Sequence, residues 1–247
     1  MIIDKINLNA TFIIIWHPTR NLIMKKLFLL LLVPLLFGCD IQYDGNTKLV
    51  VKGSVVDENN NPITNKVVNL YVSRTAFTFP FILYIPSETN YIGKATTDSN
   101  GNYVMVIPQP SNFSEIIVET NDESNQLNGK QFRNINLSNF TNFQFTAPTS
   151  KLYLKSNLAN LTVNLNNINS STELLKLEYI GNIPNEIELI NPLVEDYPNF
   201  IQNINVAKNQ TVILQYKTIN HLTNVTATNQ VNITIDNSNT VNYTLNY

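Results

Sequence analysis

Apolar residues recur at every second position along most of this chain, and that period constrains its fold more than any other feature. Leu49, Val51 and Val55 alternate with Lys52 and Ser54; Val68, Leu70 and Val72 alternate with Asn69 and Tyr71; Val231, Ile233 and Ile235 alternate with Asn232 and Thr234. Residues two apart in an extended chain share a face, so each segment carries one apolar and one polar face, as a half-buried strand does. After Asp236-Asn237-Ser238-Asn239 the alternation resumes in Val241, Tyr243, Leu245 and Tyr247, which predicts a hairpin with a polar turn. Turn signals interrupt the segments roughly every 8 to 15 residues, a spacing that favours antiparallel sandwiches over a parallel α/β sheet. Asn makes up about one residue in six, but it is interleaved with Ile, Leu, Val, Phe and Tyr rather than massed in a low-complexity tail. Beyond the N-terminal region, Ser171 to Tyr179 is the best helix candidate.

The N-terminal region follows a different rule. From Met24 the chain reads MKKLFLLLLVPLLFGC: Lys25 and Lys26 form a positive start, and Leu27 to Phe37 an apolar run. That run is too short for a spanning helix, which needs about 20 residues, and suits a secretory signal. Its last four residues, Leu36, Phe37, Gly38 and Cys39, resemble the lipobox of bacterial lipoproteins, although Phe37 is bulkier than that family usually carries. The resemblance implies that the Cys39 thiol takes a diacylglyceryl group, that the signal is cut before it, and that the new amino end is acylated. Several acyl chains anchor firmly where one is marginal, because each buried CH₂ contributes about 0.8 kcal/mol. Met1 to Ile23 precede a complete signal with its own Met and read as an upstream start. Cleavage would discard Lys5, Arg20, Lys25, Lys26 and Asp4, leaving roughly 12 basic against 17 acidic residues. With a pI of about 5.7, a nucleic-acid partner is not expected.

The organisation expected is an upstream extension and signal helix over 1–38, a polar tether over 39–47, one sandwich over 48–147 and a second over 148–247. Pro148 marks the boundary, and the fold class is all-β, with two antiparallel immunoglobulin- or transthyretin-like β-sandwiches in tandem. In the first, Val51-Lys-Gly-Ser-Val-Val-Asp57, Asn61-Pro62-Ile63, Lys66-Val67-Val68-Asn69-Leu70 and Thr97-Asp98-Ser99-Asn100-Gly101-Asn102-Tyr103 follow one another in order. This series resembles the carboxypeptidase regulatory-like domain, a transthyretin-like sandwich common in bacterial surface and periplasmic proteins. The resemblance implies a structural or display module. The physical basis is visible: Pro62 fixes φ after a run of Asn, Gly101 supplies a positive φ in a hairpin, and Asp98 can accept backbone N–H bonds there. The second half matches no family by its motifs. Its strands are expected at 151–154, 160–165, 186–190, 212–216 and in the terminal hairpin, with 183–200 irregular.

Catalytic chemistry has little to work with. Once the signal is removed, His221 is the only imidazole, too few for a zinc peptidase. No G-x-S-x-G elbow is present, and Cys39 is committed to lipid, so no catalytic residue, metal or cofactor is expected. Asp57-Glu58, Asp122-Glu123 and Glu195-Asp196 read as solvated turns. Asp98, Asn100 and Asn102 alternate as some calcium ligands do, yet the later acidic ligand is missing, and a structural turn on Asp98 and Gly101 is preferred. In Phe77-Thr-Phe-Pro-Phe-Ile-Leu-Tyr-Ile85, the residues Phe77, Phe79, Phe81, Leu83 and Ile85 alternate, so one extended strand would present an apolar edge. The first expectation is that it packs against the sandwich, with Pro80 confining it to an edge or bulge; the alternative is a protruding interaction loop. The chain is therefore expected to be a lipid-anchored cell-envelope protein, in the outer membrane of a Gram-negative bacterium, serving as a non-catalytic binding, adhesion or scaffold module. Its partners would be the membrane, through lipid at Cys39, and an envelope protein or glycan. The alternatives are an envelope glycan hydrolase with its acids in the second domain, or an accessory subunit of an outer-membrane complex.

Overall fold

Val68, Leu70 and Val72 are wholly buried while their odd-numbered neighbours are half-exposed, which is the burial that period-2 alternation dictates. The same logic builds nearly the whole molecule in a computed structural model that describes residues 41–79, 83–85, 87–191 and 200–247. The first part comprises β1 (Gln42–Val56), β2 (Val67–Arg74), β3 (Phe77–Phe79), β4 (Leu83–Ile85), β5 (Glu88–Thr96), β6 (Asn102–Ser111), β7 (Glu115–Thr120), β8 (Lys130–Ile135), β9 (Gln144–Thr146) and β10 (Ser150–Lys151). The rest comprises β11 (Leu158–Asn166), β12 (Thr172–Ile180), β13 (Ile187–Leu189), β14 (Asn203–Ala207), β15 (Gln210–Asn220), β16 (Val225–Ile235) and β17 (Thr240–Asn246). Two hydrophobic cores result.

The first core lies between a sheet ordered β10-β1-β6, with β9 also on β1, and a sheet ordered β13-β8-β7-β2-β5. Leu49, Val51, Val55, Tyr103, Met105 and Ile107 from one sheet meet Val68, Leu70, Val72, Ile116, Val118, Phe132 and Ile135 from the other. Full burial of such side chains contributes about 1.5 to 3 kcal/mol each. The second core lies between sheets β14-β11-β17 and β12-β15-β16 and holds Leu161, Val163, Val206, Val212, Leu214, Ile233, Ile235 and Leu245. The chain is thus all-β, with mainly antiparallel pairing; β9 and β10 on β1, β17 on β11 and β13 on β8 run parallel.

Four local expectations are corrected. Ser171 to Tyr179 is not a helix but falls on strand β12, paired with β15 and carrying a bulge between Leu174 and Lys176. The bulge shifts the parity, so that Leu174 and Leu177, three apart like neighbours on a helix, both turn toward the interior, Leu174 buried and Leu177 packed on the second core. The terminal segments are not a paired hairpin. β16 pairs with β15, whereas β17 crosses to the opposite sheet and runs parallel to β11. Both segments carry apolar faces, and a sandwich buries them against each other from opposite layers. The tether is absent from Gln42 onward, because β1 begins there and pairs Gln42 with Ser111 and Asp44 with Gln109. Its period was hidden by a register shift between Asp44 and Lys48, where the Thr47 hydroxyl and the Asn46 N–H both donate to the Asp44 carboxylate. Finally, 186–190 does not build the second sandwich: β13 joins the first as an added strand on β8.

The abundance of Asn has a backbone reason. Nine non-glycine residues among those described have positive φ, and all but Phe143 are Asn. A short amide side chain bonds locally and tolerates the left-handed region, so Asn takes the turn positions that glycine commonly fills. Glycine is kept for tighter places. Across the β1–β6 ladder Gly53 faces Tyr103, and a Cβ on Gly53 would stand 2.4 Å from the Tyr103 hydroxyl oxygen. The ring therefore lies over the glycine. Among the described residues that buried hydroxyl has no hydrogen-bond partner. Tyr103→Phe removes an unpaired polar group, and its urea midpoint is expected to stay level or rise by the equivalent of about 1 kcal/mol. A clear fall would mean that the hydroxyl is bonded.

Candidate functional site

The turn at Asp98 to Asn102 is built by short-range bonding. Asp98 Oδ1 accepts the N–H groups of Asn100 and Asn102, each at 2.8 Å, while the Asp98 N–H donates to the Asn102 carbonyl at 2.9 Å. Gly101 sits at φ 75°, and its carbonyl accepts from the Val55 N–H at 2.8 Å. Asp57 builds a second turn of the same design, with Oδ1 accepting from Asn59 and Asn61. In both, a single carboxylate oxygen accepts two backbone N–H groups. No group of three or more His, Cys, Asp or Glu is placed to hold a metal among the described residues.

Asp122 departs from the expected solvated turn. Its side chain is only 7% exposed and pairs with Lys66 Nζ at 2.7 Å. The Ser124 hydroxyl donates to it at 2.6 Å, and the Gln126 and Leu127 N–H groups at 2.8 Å each. Burial alone would raise its pKa, but these donors outweigh it and hold the carboxyl well below the usual carboxylate range. The site is a clamp that fixes the β7–β8 connection to the residue leading into β2. Glu195 and Asp196 lie outside the described residues. His221 Nε2 meets Glu173 Oε2 at 2.7 Å with both side chains more than half exposed.

Two of the concavities beside the second core differ in character. A polar cleft of about 290 Å³ includes Glu58, Tyr153, Asn157 and Lys208 in its lining. Its charges are engaged: Glu58 accepts from the Leu154 N–H and the Asn157 amide, and Lys208 Nζ donates to the Ser156 carbonyl and to Asn239 Oδ1. The cleft is a joint between the two cores. The other is a groove of about 830 Å³ in which Leu177, Tyr179, Ile183, Ile187, Ile201 and Ile204 alternate with polar residues such as Glu178, Glu186 and Asn203. Within it the Tyr179 hydroxyl donates to the Ile201 carbonyl at 2.6 Å, and burial pushes its pKa up to about 12.

The remaining candidate is one end of the first sandwich. Leu36, Phe37, Gly38 and Cys39 lie outside the described residues, but the chain enters the fold at Ile41, which is buried, and Gln42 pairs at once with Ser111. Ser111 leads through Asn112 and Phe113 to Ser114, whose N–H donates to the Ser73 carbonyl and whose hydroxyl accepts from the Thr75 N–H at 2.7 Å. The Phe77–Ile85 segment starts from that same place. It is not one extended strand: β3 and β4 pair with each other, with Phe77 opposite Ile85 and Phe79 opposite Leu83. Phe81, with Pro80, lies outside the described residues. No helix among the described residues is long and apolar enough to cross a membrane.

No protein-family model matches this chain, and no curated protein sequence is similar to it. Among solved structures, it is similar to the shaft pilin SpaA of Lactobacillus rhamnosus GG, at 10% identity over 81% of this chain and 98% of the pilin, with a TM-score of 0.32. It is also similar to the 3-chlorocatechol 1,2-dioxygenase of Rhodococcus opacus 1CP, at 13% identity and a TM-score of 0.29, over 47% of this chain. The chain spans 61% of the length of that enzyme. Neither likeness carries an argument about chemistry.

Proposed function

We propose that the protein is a lipid-anchored module of the bacterial cell envelope that binds, adheres or scaffolds without catalysis, its membrane attachment being acyl chains on Cys39. The observation that carries this reading is the run from Lys25 through Leu36-Phe37-Gly38-Cys39, followed two residues later by the buried start of the folded chain. A signal that stops short of spanning, a modifiable thiol at its end and a fold that begins immediately afterward suit a protein seated on a membrane. The order of the Val51–Asp57, Asn61–Ile63 and Thr97–Tyr103 motifs supports a regulatory-like display sandwich as its first half. The second core would present or brace whatever the envelope partner is, a protein or a glycan. An outer-membrane location in a Gram-negative cell is part of the same proposal.

Metabolic labelling with a clickable fatty acid tests it. Label is expected on the full chain and absent from Cys39→Ser, which should fractionate away from membranes. Label that persists in Cys39→Ser overturns the anchor. Hydrolysis of an envelope polysaccharide, lost on a single acidic substitution in the second half, would replace the module reading with an enzyme.

A further inference from the structure

Strand β16 lies at the edge of its sheet. It pairs with β15 on one side, and among the described residues no strand pairs with it on the other, so the N–H and C=O groups of alternate residues face outward. Edge strands are ordinarily defended by charge, proline, a bulge or short length. The opposite edge of the same sheet follows that rule: β12 carries Glu173, Lys176 and Glu178 and a bulge between Leu174 and Lys176. In the facing sheet, edge strand β14 has only five residues. β16 has none of these defences. Its eleven residues, VTATNQVNITI, include no charge and no proline, and its register with β15 runs from Val225 to Ile235 without a shift.

Much of the strand is also uncovered. Ile233 and Ile235 are buried and Val231 packs on the second core, so the odd-numbered positions face inward. Alternation carries the same side on through Ala227 to Val225, yet residues 225–230 are all exposed, Val225 to 60%. About 20 Å of strand therefore offers a bare backbone edge together with apolar side chains that its own sandwich does not bury.

Charge and length say what fits this edge. A second copy of β16, laid antiparallel over the full strand, brings no charge and the same eleven residues. Full overlap sets Val225 opposite Ile235, Ala227 opposite Ile233, Thr226 opposite Thr234, and Gln230 opposite Gln230 of the other copy. Apolar positions then meet apolar ones and polar positions meet polar ones on each face. A copy of β12 would instead bring three charged side chains against a neutral strand, and its bulge would interrupt the ladder.

We propose that two copies of the chain pair through β16, antiparallel about a two-fold axis at Gln230, and so join their sheets in the order β12-β15-β16-β16-β15-β12. The contact is isologous and closes at two chains. It adds about ten backbone hydrogen bonds to groups that otherwise face water. It requires neither lipid on Cys39 nor a membrane. β17, seven residues long and also without charge, is the competing edge.

Sedimentation of the full chain in detergent, native and with Gln230 replaced, tests the pairing. Gln230 is exposed and lies opposite Gln215 of β15, so Gln230→Lys and Gln230→Glu should fold and melt close to the native temperature. The native chain is expected to form a dimer. Each variant sets like charges against each other at the axis and should raise the dimer dissociation constant at least about tenfold. Mixed in equal amounts, the two variants set Lys against Glu, and the dimer should return. Gln230→Cys, made together with Cys39→Ser so that it is the sole thiol, should form a disulfide between two chains on mild oxidation. A native chain that stays monomeric up to about 100 μM overturns the proposal. So does a dimer that survives both charge substitutions and yields no disulfide, since association would then lie elsewhere. A dimer that dissociates on Thr244→Lys but not on Gln230→Lys would lie on β17 and overturn it too.

Discussion

Gly101→Val will lower the stability of the first sandwich by about 4 kcal/mol, a fall of roughly 20 °C in its melting temperature. Two penalties coincide. The position has φ 75°, which a β-branched residue resists, and a Cβ there would stand 2.5 Å from the Val55 carbonyl oxygen and 3.2 Å from the Pro62 Cβ. That carbonyl belongs to β1 in the core sheet and cannot move without disturbing the ladder with β6. Gly101→Ala meets the same oxygen and should lose nearly as much, whereas Asp98→Ala gives up two local hydrogen bonds and should cost about 1 to 2 kcal/mol. Calcium is expected to raise the melting temperature little, since among the described residues no group of three or more His, Cys, Asp or Glu is placed to hold a metal. Thermal denaturation of the three variants, with and without calcium, reads all of this. An unchanged midpoint for Gly101→Val would remove the turn from the fold's framework, and a large rise with calcium would make it a metal site.

Asp122→Asn is expected to cost about 3 kcal/mol at neutral pH and to flatten the acid limb of the stability curve. Removing the carboxylate leaves Lys66, itself mostly buried, without its partner, and half-pairs of this kind are costly. The pH dependence follows from the lowered pKa. A carboxyl held below its usual value binds its proton more readily in the unfolded chain, so its contribution is complete above about pH 4 and is lost as the pH falls below that. The native protein should lose stability steeply from about pH 4 downward, and Asp122→Asn should start lower but fall less over the same range. Urea unfolding at about pH 7, 4 and 3 distinguishes the two. Parallel curves for native and variant protein would mean that the clamp is not formed.

Asp122 also shows where linear reasoning about polar residues stops. Next to Glu123 and amid Ser, Asn and Gln, it has the surroundings of a surface turn, and only the return of the chain brings Lys66, 56 residues earlier, against it. His221 and Glu173 are brought together the same way. For the Phe77–Ile85 segment, the alternation was legible and the pairing was not. The alternation of Phe77, Phe79, Leu83 and Ile85 suggested one extended strand, whereas β3 and β4 pair with each other.

By itself the sequence determined the strand content, the two-core organisation of the apolar residues, the Asp98–Asn102 turn and the signal-like segment ending in Cys39. These are short-range properties: side-chain alternation, backbone preference and the length of an apolar run act over a few residues and need no partner to be defined. Tertiary structure alone decided which strands pair. The run over β12 had the spacing of a helix until a bulge opposite β15 absorbed the extra residue. β17 had a turn suited to a hairpin, yet it was drawn to the far sheet by the burial available there. β13 left its sequence neighbours to extend β8, where Lys130 Nζ meets Glu188 Oε2 and the Asn185 carbonyl, both at 2.7 Å. Pairing of this kind is settled by which apolar faces can be covered at once across the whole chain, and no window of about ten residues contains that information.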